Sequence, residues 1–173
     1  MLETLAHDGF EEVRFLHDRR SGAAAILAIH DSSRGPAFGG IRRWNYRDEG
    51  EAADDCLRLA KAMSHKCALL DLPAGGGKIV LVDRPDLDVP AAYHFLGTVV
   101  ERLAGRFYTG PDMGTGPREL AAAAAVTRFV TSPAEDGPGL LAEATAEGVF
   151  AGISAALAHL DGLPSLAGRK IVV

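Results

Sequence analysis

The stretch EGEAADDCLRLAKAMSHKCALLDLPAGGGKIVLV, residues 49–82, decides the fold. Ala52, Cys56, Leu59, Ala60, Met63 and Cys67 share one face at a 3.6-residue period, which predicts an amphipathic helix over 49–70. Leu72-Pro73-Ala74-Gly75-Gly76-Gly77 then breaks the helical pattern. Lys78 opens the apolar run Ile79-Val80-Leu81-Val82, which reads as a buried strand over 78–82. Helix, glycine-rich connection and buried strand form the unit from which α/β folds are built.

The alternation extends to both sides of this stretch. Strands are expected over 12–17, 24–30, 106–109 and 169–173, and helices over 89–103, 117–126 and 139–160. The fold class is therefore α/β, a mixed and largely parallel sheet flanked by helices. Two turn-rich stretches interrupt it. Residues 31–40 contain Ser32-Ser33-Arg34-Gly35-Pro36, and residues 132–139 hold two prolines and two glycines and read as a domain boundary. The strand at 169–173 has no helix after it and reads as the opening of a further βαβ unit.

Composition narrows the function. The chain has 173 residues, 47% of them hydrophobic and 24% charged, an ordinary globular balance. With 18 Lys and Arg against 23 Asp and Glu, the net charge is −5. That balance offers no basic surface for nucleic acid or an acidic membrane. No apolar run is long enough for a membrane span, and no signal segment opens the chain. Cys56 and Cys67 have no metal-ligand spacing and read as reduced thiols of a cytoplasmic protein. The six histidines form no paired ligand pattern, so no metal is expected.

Four places could carry chemistry. Gly75-Gly76-Gly77-Lys78 bares a length of backbone, which suits close approach or positive φ. It is not a phosphate-binding P-loop, because Leu72 stands where the first glycine belongs and Ile79 where Ser or Thr belongs. Taken alone it reads first as a flexible turn with Lys78 in solvent. Lys66 follows Met63 by three residues and lies on or beside the buried face of its helix. Such a lysine snorkels, pairs with an acid or binds an anion. Asp112, in Tyr108-Thr109-Gly110-Pro111-Asp112-Met113, follows a strand, where α/β sheets bind ligands, but it could equally be a turn or cap residue. Gly35-Pro36-Ala37-Phe38-Gly39-Gly40-Ile41-Arg42 could be a simple glycine turn, and Trp44 and Tyr46 read as packing residues.

In order and spacing these segments resemble one family. Gly35–Arg42, Met63-Ser64-His65-Lys66, Gly75-Gly76-Gly77-Lys78 and Gly110-Pro111-Asp112-Met113-Gly114-Thr115 are similar to the Glu/Leu/Phe/Val amino-acid dehydrogenases, the leucine and phenylalanine branch in particular. A fifth match, Ala144-Thr145-Ala146-Glu147-Gly148-Val149-Phe150, resembles the start of the family's helix leading to the nucleotide domain.

The resemblance implies a substrate-binding and oligomerisation domain over 1–135. It implies that 136–173 are a linker helix and the first strand of a Rossmann dinucleotide domain. Lys66 would bind the substrate α-carboxylate, and Lys78 would be the catalytic lysine that activates water. Asp112 would move protons at the substrate nitrogen. Gly39 and Gly40 would border the substrate, Met63 would line the cleft, and Thr145 would face the nicotinamide of NAD. The implied reaction is NAD-dependent oxidative deamination of an L-amino acid by a homo-oligomer, with neither nucleic acid nor membrane as partner. Glutamate-specific members carry lysine where this chain has Phe38, so an apolar substrate side chain is expected. The family's Gly-x-Gly-x-x-Gly turn is absent from the sequence, so the 173 residues alone are expected not to turn over substrate. The alternative reading is a non-catalytic oligomerisation or amino-acid-sensing module.

Overall fold

A computed structural model describes residues 2–131 and 141–172. The chain divides into two compact units, Met1–Ser132 and Pro133–Val173.

The first unit is built around one strand. β1 (Glu12–Asp18) and β2 (Ala23–Asp31) form an antiparallel hairpin, and β2 pairs antiparallel with β5 (Gly75–Val82). The other side of β5 is parallel. It pairs with β3 (Ala37–Phe38) and β4 (Ile41–Trp44), and β3 pairs in turn with β6 (Phe107–Tyr108). The sheet is thus mixed, antiparallel on one side of β5 and parallel on the other.

Alternation along β5 divides the core in two. Ile79 and Leu81 point with Leu27, Ile29, Ile41 and Phe107 toward Tyr93, Leu96 and Val100 of α3 (Val89–Arg102). Val80 points with Ile26 and Ala28 toward Ala52, Ala53, Cys56 and Ala60 of α2 (Glu49–Leu69). Burial on both faces is why this strand reads as a continuous apolar run. Asp48 and Asp88 fix where the helices start, accepting hydrogen bonds from Glu51 N and Ala91 N at 2.9 and 3.1 Å. A short α1 (Leu2–Asp8) precedes the hairpin, and α4 (Pro117–Ala124) packs on α3.

The glycine triplet is not a turn. Gly75, Gly76 and Gly77 are the first residues of β5, and none has positive φ. Close approach explains them. A Cβ at Gly76 would lie 2.1 Å from Ser64 N and 2.5 Å from Ala60 O, so α2 rests directly on the strand backbone. The expected strand over 78–82 therefore starts at Gly75, and Lys78 is an interior strand residue.

In the second unit α5 (Leu141–Asp161) is the helix expected over 139–160. The strand expected over 169–173 is not formed: residues 169–172 are irregular, and Ile171 and Val172 are exposed. A strand needs a neighbour to take its backbone hydrogen bonds, and none among the described residues does so. The 132–139 boundary lies outside the described residues. Among the described residues no helix is long and apolar enough to cross a membrane.

Candidate active site

β3 and β4 are one extended run along β5, broken only at Gly39 and Gly40. Phe38 pairs with Gly76 and Ile41 with Ile79, so the break lies opposite Gly77 and Lys78. The two glycines are demanded by the chain's own backbone. A Cβ on Gly39 would sit 1.7 Å from Gly77 O, and one on Gly40 would sit 2.4 Å from Pro111 O and 3.0 Å from the Asp112 Cβ. The segment 109–115 is pinned beside them. Gly110 and Met113 carbonyls accept from Ile41 N and Arg43 N, each at 3.0 Å, and the Thr115 hydroxyl bonds the Tyr93 hydroxyl.

These contacts bring Lys78 and Asp112 together. Lys78 shares its face of β5 with Val80, only 4% exposed, and its Nζ donates to Asp112 Oδ2. Burial pulls the lysine below its ordinary pKa and Arg42 adds to this, while Asp112 opposes both. Asp112 lies below the usual carboxylate range. Burial alone would raise it, but Lys78, the Met113 N–H and Arg42 overcome that. The lysine is thus desolvated and joined to a carboxylate, an arrangement that can pass a proton between the two groups.

A second layer holds the pair. Arg42 of β4 donates from Nε and Nη2 to Asp112 Oδ1, both at 3.3 Å, and from Nη1 to Asp55 Oδ2 at 3.0 Å. Asp55, on α2, also accepts from the Tyr46 hydroxyl at 2.8 Å and from Arg58. Burial, with Asp55 beside it, pushes the Tyr46 phenol well above its ordinary value. Tyr46 is therefore a hydrogen-bonding member of the site rather than mere packing. A groove of about 410 Å³ opens on the outer side of this layer, between Arg42, Trp44, Tyr46, Asp55 and Met113.

The remaining expected residues are placed less closely. Phe38 stacks on Tyr108 with ring centroids 5.2 Å apart and planes 9° off parallel. Met63 is half-buried on the α2 flank that carries Asp55. Lys66 lies on that flank too, eleven residues after Asp55, but it is exposed rather than on the buried face. The buried stripe runs through Ala60, Ser64 and Cys67, and Met63 already stands at its edge. Among the described residues no carboxylate is within ion-pair reach of Lys66. Thr145 lies on α5, in the second unit. Arg42 and Asp55 carried no expected role in the sequence. Arg42 stood in the glycine segment, but its meeting with Asp112 follows only from the register of β4 on β5. Among the described residues no cluster of His, Cys, Asp or Glu is placed to hold a metal ion.

Fold and site together define an α/β domain that holds a desolvated lysine–carboxylate pair beside the break between two parallel strands, equipment for moving protons. The chain belongs to the Glu/Leu/Phe/Val dehydrogenase family, whose dimerisation domain matches residues 8–128. It is 41% identical to phenylalanine dehydrogenase of Lysinibacillus sphaericus over 94% of this chain and 44% of that protein. It is 40% identical to leucine dehydrogenase of Geobacillus stearothermophilus over 95% of this chain and 46% of that protein. The crystal structure of L-tryptophan dehydrogenase from Nostoc punctiforme superposes with a TM-score of 0.75 at 37% identity, covering 91% of this chain and 44% of that one. The chain thus spans about half the length of the relatives it matches.

Proposed function

We propose that this chain is the substrate half of an NAD-dependent dehydrogenase. The enzyme oxidatively deaminates an apolar L-amino acid, such as leucine, valine or phenylalanine, to a 2-oxo acid, ammonia and NADH. The observation that carries this reading is the buried Lys78–Asp112 pair, set at the Gly39–Gly40 break of a chain in this family. Residues 1–135 serve as the substrate-binding and oligomerisation domain, and residues 136–173 lead into the dinucleotide-binding domain. The family's dimerisation-domain description and the edge strand β1, with Phe15 exposed, favour a homo-oligomer. Two free, buried thiols suit the reducing cytoplasm.

The residues present fit NAD on its reactive side only. They supply proton-transfer groups for a reacting carbon but no Gly-x-Gly-x-x-Gly turn for a pyrophosphate, a role we assign to a dinucleotide-binding domain outside these residues. Thr145 is assigned to the nicotinamide end. Bound there, NAD would supply the hydride acceptor for the substrate Cα hydrogen.

This chain's own residues manage the charges and protons around that transfer. The Lys66 ammonium, with no ion-pair partner among the described residues, binds the α-carboxylate as a point charge. Lys78, in its deprotonated form, takes a proton from the water that adds to the imino carbon. Asp112, in contact with Lys78, carries protons to and from the substrate nitrogen, so that ammonia can leave as the carbon–nitrogen bond breaks. Gly39 and Gly40 keep the backbone low beside the substrate, and Met63 lines the cleft. Phe38, stacked on Tyr108, offers an apolar surface. A carboxylate on the substrate side chain would lie there unpaired, at a cost of several kcal/mol, on the order of that for any buried lone charge.

The role of Lys78 is tested in a two-domain polypeptide that carries this chain. Lys78→Ala should lower kcat by about a hundredfold or more. A variant within a few-fold of the parent removes Lys78 from the chemistry.

A further inference from the structure

The Lys78–Asp112 pair is not free to choose its geometry. One Asp112 oxygen, Oδ1, is occupied by Arg42 through Nε and Nη2 and by the Met113 N–H at 2.5 Å. Only Oδ2 remains for Lys78. Arg42 is itself 18% exposed and is held from the other side by Asp55, which α2 supplies and which Tyr46 and Arg58 brace. Burial works against the Arg42 charge, and Asp112 and Asp55 together overcome it, so the guanidinium stays charged. Two carboxylates thus share one cation, and the second cation, Lys78, competes for one of them.

We propose that Arg42, clamped by Asp55, is the positioning residue of the catalytic pair: it selects which Asp112 oxygen meets Lys78 and how much of that carboxylate's charge the lysine feels. This inference rests on the reading of Lys78 and Asp112 as the reacting groups. Asp55 works at one remove. By sharing the Arg42 charge it keeps the guanidinium from drawing Asp112 fully to itself. The two residues therefore act on Lys78 in opposite senses. Removing the Arg42 charge relieves a repulsion and frees Asp112 for the lysine. Removing the Asp55 charge does the reverse. The groups facing Lys78 are Asp112 from the segment after β6, Arg42 from β4 and Cys56 from α2. Burial pushes the Cys56 thiol up to about 12, so it stays neutral across the working range. Asp55 and Arg58 on α2, and Tyr46 after β4, stand behind Arg42.

The chain holds four lysines, at 61, 66, 78 and 170, so the test can be read directly from this protein without turnover. Lysine side chains are labelled with carbon-13 at Cε and titrated by NMR, and the Lys78 signal is assigned as the one lost in Lys78→Gln. We expect the Lys78 midpoint to rise in Arg42→Gln and to fall in Asp55→Asn, each by about half a pH unit or more. A lesion that merely loosened the fold would move both variants the same way, toward the ordinary lysine value. Shifts in the same direction, or no shift in folded variants, overturn the proposal. Should Arg42→Gln fail to fold, Tyr46→Phe and Arg58→Gln loosen Asp55 from the far side. Asp55 then compensates Arg42 more fully and the Lys78 midpoint should rise; an unmoved midpoint in both overturns it. Loss of the Lys78→Ala kinetic effect would instead undo the functional reading, so the two failures are separable.

Discussion

Asp112 holds two cations, one on each oxygen, and this single side chain explains most of the site's electrostatics. Its carboxyl, and that of Asp55, lie below the ordinary carboxylate range when folded, despite burial, because of their cationic and hydrogen-bonding partners. The unfolded chain therefore binds more protons through the acid range than the folded one. The stability these groups contribute is present above about pH 4, the unfolded carboxylate value, and is lost as pH falls through their folded values. Lys78 acts in the same sense at higher pH. Its folded pKa is lowered, so the folded chain holds fewer protons up to about pH 10, and stability rises with pH across that window. Guanidinium midpoints should fall between pH 5 and pH 3 and fall less steeply in Asp112→Asn. A flat profile through pH 3 would contradict this account of the pair. At this scale the sequence was partly legible. Lys78 and Asp112 could be named from their motifs, because each sits in a glycine-rich segment with a recognisable order. Arg42 and Asp55 could not, because no sequence period links a residue two past a glycine pair with one on the first turns of a helix.

Among the elements, β5 decides everything near the site. The helix over 49–70 and the apolar run over 79–82 were readable because period 3.6 and continuous hydrophobicity are strong local signals. What misled was the glycine triplet, whose local chemistry suggests a turn and whose actual cause is nonlocal: α2, Asp31 and Phe107 press on its bare backbone. β3 and β4 were invisible for a similar reason. They total six residues, and they are strands only because β5 lies beside both to pair with them and β6 beside β3. The register of this short run is fixed by Gly39, where a Cβ would enter the Gly77 carbonyl. Gly39→Ala should therefore force the parallel strands apart and destabilise the domain by about 1–3 kcal/mol or more, measured by denaturant unfolding. An alanine variant as stable as the parent would mean that the strands do not pack as closely as described.

At the scale of the whole molecule, the proposed reading is of a substrate-binding half. Its two units, the family match over residues 8–128 and its span of about half of each relative all fit a domain made to work with a dinucleotide-binding one. The strand expected over 169–173 illustrates the limit of local pattern: an apolar run becomes a strand only beside a partner, and residues 169–172 have none among the described residues. The central claim is the reaction itself. It is tested most directly by joining this chain to the dinucleotide-binding half of the Geobacillus stearothermophilus leucine dehydrogenase and following NADH formation with leucine, valine, phenylalanine and glutamate. The account predicts amino-acid-dependent NADH formation with the apolar substrates, and glutamate slower by at least about a hundredfold, the consequence of one unpaired buried carboxylate beside Phe38. A folded two-domain protein that forms no NADH with any of them, or that prefers glutamate, would contradict it.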